Sequence, residues 1–232
     1  MSIKLEHVVL ASPEQMDFII EGMRNPMNSW DKSDSSCGTA TRDTNVQWND
    51  DYFIGTNDAY LMLCLANAGT DHRKFMRMMP VYVRITAPLY WWKEFDTYKV
   101  GTVANSCSTM HKITEKEFEW GDFSTEHLIR VRDSHLGDTV PTLVFDSVIR
   151  GLNFWRSRYL KTKSKDDWWQ LIQLLPSSYN QTRNVMMNYE VLANIYKPRK
   201  DHKLDEWREF CKWIETLPYS ELITGGTNEK MA

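Results

Sequence analysis

The 232-residue sequence lacks the short motifs that mark the commonest catalytic and metal-binding sites. It contains no GxSxG nucleophile elbow, no glycine-rich phosphate loop and no GxGxxG dinucleotide fingerprint. Its four cysteines, at positions 37, 64, 107 and 211, have no CxxC spacing, and no HExxH is present. A zinc site and a disulfide framework are therefore not predicted. Pattern alone indicates no nucleophilic or metal-dependent reaction.

The sequence also lacks long apolar runs and an excess of positive charge. No segment approaches the roughly 20 apolar residues that a membrane helix needs, and the opening MSIKLEHVVLAS does not resemble a signal peptide. The formal net charge of -3 provides no field that would gather nucleic acid. We therefore expect a cytoplasmic protein with no membrane or nucleic-acid partner. A single-strand-binding role for its tryptophans and lysines is the least favoured alternative.

Aromatic residues, by contrast, are abundant, with ten Trp, ten Tyr and nine Phe. Such side chains fill a core or line a pocket for a flat ligand. The length suits one domain and is short for two independent ones. We predict a single domain over 1–232, with a long polar loop at 25–55 and a disordered tail at 222–232.

Residue patterns predict a helix-rich α+β fold, because strands are few and do not alternate regularly with helices. Strands are predicted at 3–10 and 76–86, and Pro80 would confine the second to a sheet edge or a bulge. Ser12, Pro13 and Gln15 form a helix-start signature. Further helices are predicted at 57–68, from Pro88, at 138–159, 165–174 and 179–197, and from Asp201, which would cap the last helix.

The predicted helix at 179–197 carries the first candidate ligand-binding residue. Asn188 falls within an apolar stripe made by Val185, Leu192 and Ile195, so its amide is expected to face the interior. An unpaired buried amide costs about 1–3 kcal/mol. Either another helix or a bound polar ligand must therefore satisfy it.

Two arginines and a polar loop are the other candidates. Arg183 and Arg199 flank the same segment, and a guanidinium matches phosphate or carboxylate oxygens bidentately, although a solvated arginine is the alternative. The loop at 97–110 contains Gly101 and small polar residues. Such a loop can present amides and hydroxyls to a phosphate, or form an ordinary turn.

Two spaced blocks resemble the flavin-dependent thymidylate synthases. That family shares a histidine, a short link, a strand, Ala-Pro, an aromatic helix and then RHRxxSxNExSxR. This sequence, from His72, reads HRKFMRMMPVYVRITAPLYWWKEFDTYKVGTVANSCSTMH. The second block, from Leu174, reads LLPSSYNQTRNVMMNYEVLANIYKPRKDHKLDEW. From His72 to Ala87-Pro88 the spacing fits the family without gaps, and each block departs from it by one position further along.

Within the first block, Thr97-Tyr98-Lys99 falls on the family's Arg-His-Arg and Thr102 on its first serine. After one extra residue, Asn105 matches the asparagine. The last three positions complete the motif: Ser106 replaces the glutamate, Ser108 matches the second serine, and Met110 replaces the final arginine.

In the second block, Asn188 falls on the flavin-contacting asparagine and Arg199 on the arginine that contacts the nucleotide base. Arg183 lies one position from the family's phosphate-binding arginine. The resemblance thus implies two groups of site residues. The cofactor-binding group is His72, Tyr98, Lys99, Asn105 and Asn188, and the substrate-binding group is Ser106, Ser108, Arg183 and Arg199.

The resemblance implies an α+β fold with helices packed on a small, mostly antiparallel sheet. It also implies FAD as cofactor, and a methyltransferase that reductively methylates dUMP to dTMP with methylene-tetrahydrofolate and NADPH. The family's homotetramer places each active site between subunits. The change of Arg-His-Arg to Thr-Tyr-Lys removes two guanidinium forks, which a lysine does not replace. The alternative implied by these departures is a non-catalytic or altered-substrate nucleotide- or flavin-binding protein of the same fold.

Overall fold

The computed structural model describes residues 3–37, 52–108, 112–129 and 140–226. Its strands are β1 (Lys4–Leu10), β2 (Ser36–Cys37), β3 (Tyr52–Phe53), β4 (Pro80–Pro88), β5 (Val103–Ser106) and β6 (Asn180–Asn188). Its helices are α1 (Pro13–Arg24), α2 (Thr56–Asn67), α3 (Lys74–Met78), α4 (Leu89–Phe95), α5 (Pro141–Thr162), α6 (Lys165–Leu174), α7 (Tyr189–Arg199), α8 (Asp205–Glu215) and α9 (Glu221–Thr224).

Four strands form one sheet in the order β1, β4, β6, β5, and β2 pairs antiparallel with β3. The helix-rich α+β architecture with a small antiparallel sheet confirms the predicted fold class. One detail is corrected: β4 lies between β1 and β6, so it is not an edge strand. Pro80 is its first residue, where a missing N–H does not interrupt the ladder. Residues 74–78, partly within the predicted strand, form α3 instead.

The predicted start of α1 is confirmed. The Gln15 backbone N–H donates to Ser12 Oγ at 3.3 Å, and the Ser12 N–H donates to Gln15 Oε1 at 2.9 Å. Pro13 occupies the first turn, where its missing N–H has no intrahelical acceptor to lose. This reciprocal cap fixes where α1 begins, and its apolar stripe is then buried.

The helix predicted at 179–197 is wrong in its first half, because residues 180–188 form β6. Towards its end β6 alternates, with Val185 and Met187 buried and Asn184 exposed. Asn188 ends the strand and caps α7, its Oδ1 accepting from the Val191 N–H at 3.0 Å. Asn188 therefore does not lie within a helical stripe.

The chain after α7 also differs from the prediction. Pro198 lies inside the last turn of α7, and α8 begins at Asp205 after Leu204, so Asp201 is not its cap. A proline this close to a helix end removes only one backbone donor from the ladder. The predicted tail at 222–232 begins within α9, which buries Leu222 and Ile223. Residues 227–232, and residues 38–51 of the predicted polar loop, lie outside the described residues.

The chain divides into two compact units. The first comprises the described parts of Met1–Lys4, Ile85–Asp96 and Asn105–Arg183, and the second those of Leu5–Arg84, Thr97–Ala104 and Asn184–Ala232. In the first unit α5 packs on α6 around a buried cluster that includes Phe118, Phe123, Leu152 and Leu171. In the second unit α7 packs against α3, α8 and α9. The single domain over 1–232 stays a prediction.

A buried carboxylate organises the beginning of the second unit. Asp58, in the first turn of α2, is completely buried and accepts from Arg24 Nε at 2.6 Å. The hydroxyls of Ser33 and Ser35 donate to its other oxygen at 2.6 and 2.7 Å. The backbone N–H groups of Asp34 and Ser35 donate to the same oxygen at 3.2 Å each. Asp58 therefore holds α1, α2 and residues 33–35 together.

The segment at 33–35 in turn caps α2. Asp34 accepts from the backbone N–H groups of Asn57 at 2.8 Å and Asp58 at 3.1 Å. A Cβ at Gly55, the N-cap residue, would collide with the carboxylate and carbonyl of Asp34. The glycine is therefore required by close approach rather than by an unusual backbone conformation.

We predict that this network makes the protein sensitive to acid. Burial alone raises the pKa of Asp58, but hydrogen bonds from Ser33, Ser35 and Arg24, with the Arg24 charge, outweigh it and lower the pKa below its ordinary value. A folded-state pKa below the unfolded one stabilises the fold at neutral pH, and this stabilisation disappears as the pH falls below about 4. The Asp58→Asn variant should lower the free energy of unfolding at pH 7 by about 3–5 kcal/mol.

The measurement is denaturant unfolding between pH 7 and pH 3. Asp58→Asn should also flatten the acid limb of the stability profile, whereas the exposed Asp31→Asn should leave both the plateau and the limb unchanged. An unaltered acid limb in Asp58→Asn would assign the sensitivity to other carboxylates.

Candidate functional site

Residues 97–102 of the second unit form a turn that lies against the start of α7. Gly101 has a positive φ of 77°. A Cβ on it would lie 3.0 Å from Val191 Cγ2 and 3.1 Å from Asn188 Nδ2. A left-handed backbone and the absence of a side chain are both needed here. Gly101 therefore lets the turn that carries Tyr98 and Lys99 approach the first turn of α7.

Arg199, the last residue of α7, lies between two aromatic rings of the same unit. Its Cζ is 4.5 Å from the ring centroid of Trp207 and 5.6 Å from that of Tyr98. Its Nε–H donates to the Tyr98 hydroxyl at 2.9 Å. Trp207 is completely buried, and Tyr98 meets it edge-on with centroids 6.1 Å apart. Cation–π contacts of this kind contribute about 0.5–2 kcal/mol, and they hold the guanidinium close to both rings.

His202 completes the cluster around Arg199. Its Nε2 lies 3.1 Å from Arg199 Nη1, and its Nδ1 accepts from the Leu204 backbone N–H at 3.2 Å. Its carbonyl oxygen accepts from Arg208 Nη1 at 2.6 Å. The side chain and the backbone carbonyl of His202 therefore both fix the connection between α7 and α8.

The turn also contains a buried polar atom. Within the part of the chain that the structure describes, Thr102 Oγ1 is buried without a hydrogen-bond partner. Lys99 is exposed, and Tyr98 is partly buried. An unpaired buried hydroxyl costs free energy that a ligand oxygen could recover. Hydroxyl, phenol and ammonium groups thus lie within five consecutive residues.

Arg183 belongs to the first unit, and its surroundings differ. It lies in β6, where its Nη1 forms an ion pair with Asp96 Oδ1 at 2.7 Å. Its Cζ stands 4.1 Å from the ring centroid of Trp92, and its Nε–H donates to Gln181 Oε1 at 2.9 Å. A carboxylate therefore already occupies part of the fork that was predicted to bind phosphate.

The remaining predicted residues of the first unit lie on and after β5. Asn105 and Ser106 are exposed on the strand, and Ser108 follows it, partly buried. Between them the Cys107 N–H donates to the Thr182 carbonyl at 3.0 Å. The segment that was predicted to be a loop thus contains a strand paired with β6.

In the second unit, Tyr98 contacts Arg199 at the end of α7, and Gly101 of the same turn lies against Asn188 at its start. Asn188 is partly buried and its Oδ1 caps α7, and its contact with a ligand stays a prediction. His72, in the same unit, lies in an exposed turn after α2, with its backbone N–H donating to the Gly69 carbonyl at 3.1 Å.

Sequence reasoning missed His202, Trp207 and Asp96 as partners of the predicted arginines. The three-residue spacing from Arg199 to His202 was an available signal, since i and i+3 are close wherever the chain turns. Trp207 lies within the last predicted helix, where its spacing from Cys211 and Ile214 indicates burial and does not identify a partner. No local pattern marks Asp96, because its partner is 87 residues away.

No group of three or more His, Cys, Asp or Glu in the described residues could hold a metal ion. None of the helices found there is both long and apolar enough to cross a membrane.

Two solved structures resemble this chain over almost its whole length. Flavin dependent thymidylate synthase ThyX from Helicobacter pylori, complexed with FAD and dUMP, gives a TM-score of 0.63 at 17% identity, covering 97% of this chain and 99% of that chain. The UMP/dUMP methylase PolB from Streptomyces cacaoi, bound with 5-Br dUMP, gives 0.59 at 15% identity, covering 98% and 97%. No protein-family model matches the sequence, and comparison with curated proteins gives no match. The chain therefore has the flavin-dependent thymidylate synthase fold.

We predict that Cys211 reports on the packing beneath Arg199. Cys211 follows Trp207 by one turn of α8 and is buried with it. Burial and the Glu215 charge raise the pKa of this thiol to about 12. An aromatic disulfide reagent at pH 8 should modify the exposed Cys37, Cys64 and Cys107 and leave Cys211 until the protein is unfolded.

The Cys211→Ala variant is the control. The number of thiols that the reagent modifies in this variant should be the same before and after unfolding. If all thiols of the native wild type were modified at one common rate, Cys211 would not be buried on the inner face of α8.

Proposed function

We propose that this protein is a flavin-dependent methylase of uridine nucleotides. Its reaction would be the reductive methylation of dUMP to dTMP, with FAD as cofactor, methylene-tetrahydrofolate as carbon donor and NADPH as reductant. The supporting observation is the contact between the two family-like blocks in the second unit, where the Arg199 Nε–H donates to the Tyr98 hydroxyl and Gly101 lies against Asn188. The fold is consistent with this proposal, since the two similar structures contain FAD and dUMP, and 5-Br dUMP.

The residues of the turn fit a cofactor that carries phosphates and a polar ring edge. Lys99 supplies a mobile cation, and Thr102 supplies a buried hydroxyl that lacks a partner among the described residues. In this proposal Tyr98, Lys99, Asn105, Asn188 and His72 contact the cofactor. Bound FAD would supply the hydride chemistry, and the protein would supply orientation and charge.

Arg199 is proposed to bind the carbonyl groups of the uracil base. A planar guanidinium held against Trp207 and Tyr98 loses little freedom when it forms hydrogen bonds to a planar ligand. The cluster therefore provides a pre-oriented donor for an aromatic base with oxygen acceptors.

The nucleotide phosphate is proposed to bind Ser106, Ser108 and Arg183. The hydroxyls would donate to phosphate oxygens, and the guanidinium would neutralise part of the charge. By resemblance to the family, the proposal also includes a homotetramer and a cytoplasmic location.

The proposal is tested on the purified protein. We expect a visible flavin spectrum, or binding of added FAD, and release of tritium from dUMP labelled at C5 when folate and NADPH are present. Arg199→Lys should weaken dUMP binding roughly 10- to 100-fold, the effect of losing charge-assisted hydrogen bonds. The exposed Arg150→Lys is the matched control. A protein that binds neither FAD nor dUMP would sink the proposal.

The alternative is a protein of this fold that binds a nucleotide or flavin without catalysis, or that acts on another substrate. It is favoured by the ion pair between Arg183 and Asp96, together with the loss of the Arg-His-Arg triplet. A guanidinium that is already paired with a carboxylate binds phosphate less strongly. Growth of a thymidine-requiring strain on this protein would refute the alternative.

Asp96→Asn measures how far the ion pair limits phosphate binding. Because exposed ion pairs contribute about 0–1 kcal/mol, the variant should keep its stability. Its affinity for dUMP should rise up to about fivefold by calorimetry, since competition for Arg183 is removed. Asp166→Asn, exposed in the same unit, should leave the affinity unchanged. Equal affinities in Asp96→Asn and the wild type would show that Asp96 does not compete.

A further inference from the structure

The end of α5 and the start of α6, both in the first unit, form a strongly basic stretch. Residues 147–165 contain six Lys or Arg and no Asp or Glu. The formal net charge of -3, from which the sequence predicts no nucleic-acid partner, averages over the whole chain. A bound polyanion responds to charges within about 10 Å, the Debye length at 0.1 M salt. A local positive surface is therefore compatible with an acidic total.

Most of these cations face solvent. Four of them are exposed and take part in none of the ion pairs between described residues: Arg150, Lys161, Lys163 and Lys165. A fifth, Arg158, pairs with Asp167 Oδ1 at 3.3 Å, yet 52% of its side chain is exposed. The exposed carboxylate of Asp166 offsets one of these charges. The surface therefore keeps an excess of positive charge.

Two of the cations occupy positions where other residue types suit the local structure better. Lys163, which follows the last residue of α5, has a φ of 55°, in the left-handed region that glycine and asparagine adopt most readily. Lys165 is in the first turn of α6, where the positive end of the helix dipole disfavours a cation. The local backbone does not account for a lysine at either position, whereas a partner of opposite charge does.

Large rings stand beside the cations on both helices. Phe154, 56% exposed, lies four residues from Arg150 and four from Arg158, so it shares their stripe of α5. Trp169, 40% exposed, lies four residues after Lys165 on α6. The two helices pack against each other within the first unit. Each of two packed helices thus presents an exposed ring with cations next to it.

A single-stranded nucleic acid matches this combination of rings and cations better than other polyanions do. It offers phosphates to the cations and unstacked bases to the rings, and every base has a flat face on which an aromatic side chain can stack. A duplex keeps its bases stacked inside, so it would leave Phe154 and Trp169 unused. A helix that lies on an anionic membrane separates an apolar face from a basic one. On α5, by contrast, Phe154 and the cations share one stripe.

We propose that these residues form a binding site for single-stranded nucleic acid, in which the four exposed cations contact phosphates and Phe154 and Trp169 stack on bases. We call these six residues the basic surface. None of them belongs to the groups proposed to bind FAD or dUMP, so this inference does not rest on the proposed function. The basic surface is therefore a second binding site of the protein.

Binding is measured by the fluorescence anisotropy of a labelled single strand of mixed sequence and about 20 nucleotides, longer than the site of one small domain. Excess dUMP is present, so that a terminal nucleotide cannot occupy the proposed substrate site. The wild type should bind with a Kd on the order of micromolar at low salt. The logarithm of the binding constant should fall against that of the salt concentration with a slope of roughly -3, about 0.7 for each of four phosphate contacts.

A pair of double variants tests the cations. Lys161→Gln with Lys165→Gln should weaken binding of the single strand roughly tenfold and reduce the salt slope by about 1.4. Lys74→Gln with Lys212→Gln removes the same charge from exposed positions of the second unit. This control should leave the affinity and the slope at their wild-type values.

A pair of single variants tests the rings. Phe154→Ala should weaken binding of the single strand roughly tenfold, through lost stacking, and leave binding of a duplex of the same length unchanged. Phe18→Ala, on α1 and 64% exposed, is the matched control and should change neither. Because every substituted side chain is exposed, all variants should unfold at the wild-type denaturant concentration.

Three results would overturn this inference: no binding of the single strand by the wild type at low salt, equal losses in the two lysine double variants, or an equal effect of Phe154→Ala on single strand and duplex. Vesicles of phosphatidylserine and phosphatidylcholine are the alternative ligand. Binding of the vesicles but not of the strand, lost in Lys161→Gln with Lys165→Gln, would assign the surface to a membrane instead. Failure of the wild type to bind dUMP would overturn the proposed function and leave this inference unaffected.

Discussion

The contact between the guanidinium of Arg199 and the ring of Trp207 is the one on which the candidate site depends. Trp207 is completely buried, so its ring is fixed in the core of the second unit, and Arg199 Cζ lies 4.5 Å from the centroid of that ring. Tyr98 and His202 bond to the same side chain. Arg199 therefore holds three parts of the second unit together: the turn at 97–102, the end of α7 and the connection to α8. The function proposed for the cluster requires the Arg199 side chain to be held rigidly.

Three arginines illustrate how surroundings decide what one side chain does. Arg24 meets the buried carboxylate of Asp58 and joins parts of the second unit, which is a structural use. Arg183 meets the exposed carboxylate of Asp96, which competes with any anion that approaches it. Arg199 lies among aromatic rings, a phenol hydroxyl and an imidazole.

Much of the fold could be predicted because its signals are local. The cap at Ser12 depends on residues three positions apart, and the aromatic helix after Pro88 follows directly from its sequence. Strand β6 was missed because it contains polar residues in its first half and alternates only near its end. Asn188 was placed inside a helix for the same reason. An apolar spacing that suits a helix also arises where a strand runs directly into a helix.

The sequence by itself determined the α+β class, most helices and the two blocks that contain the candidate residues, since caps, periodicity and motif spacing act over a few residues. Only the tertiary structure decided which partner each functional side chain has. Tyr98 and Arg199 are 101 residues apart, and Asp96 and Arg183 are 87 apart. No local pattern encodes such pairs, because contacts between distant residues form only when packing of the core brings their backbones together.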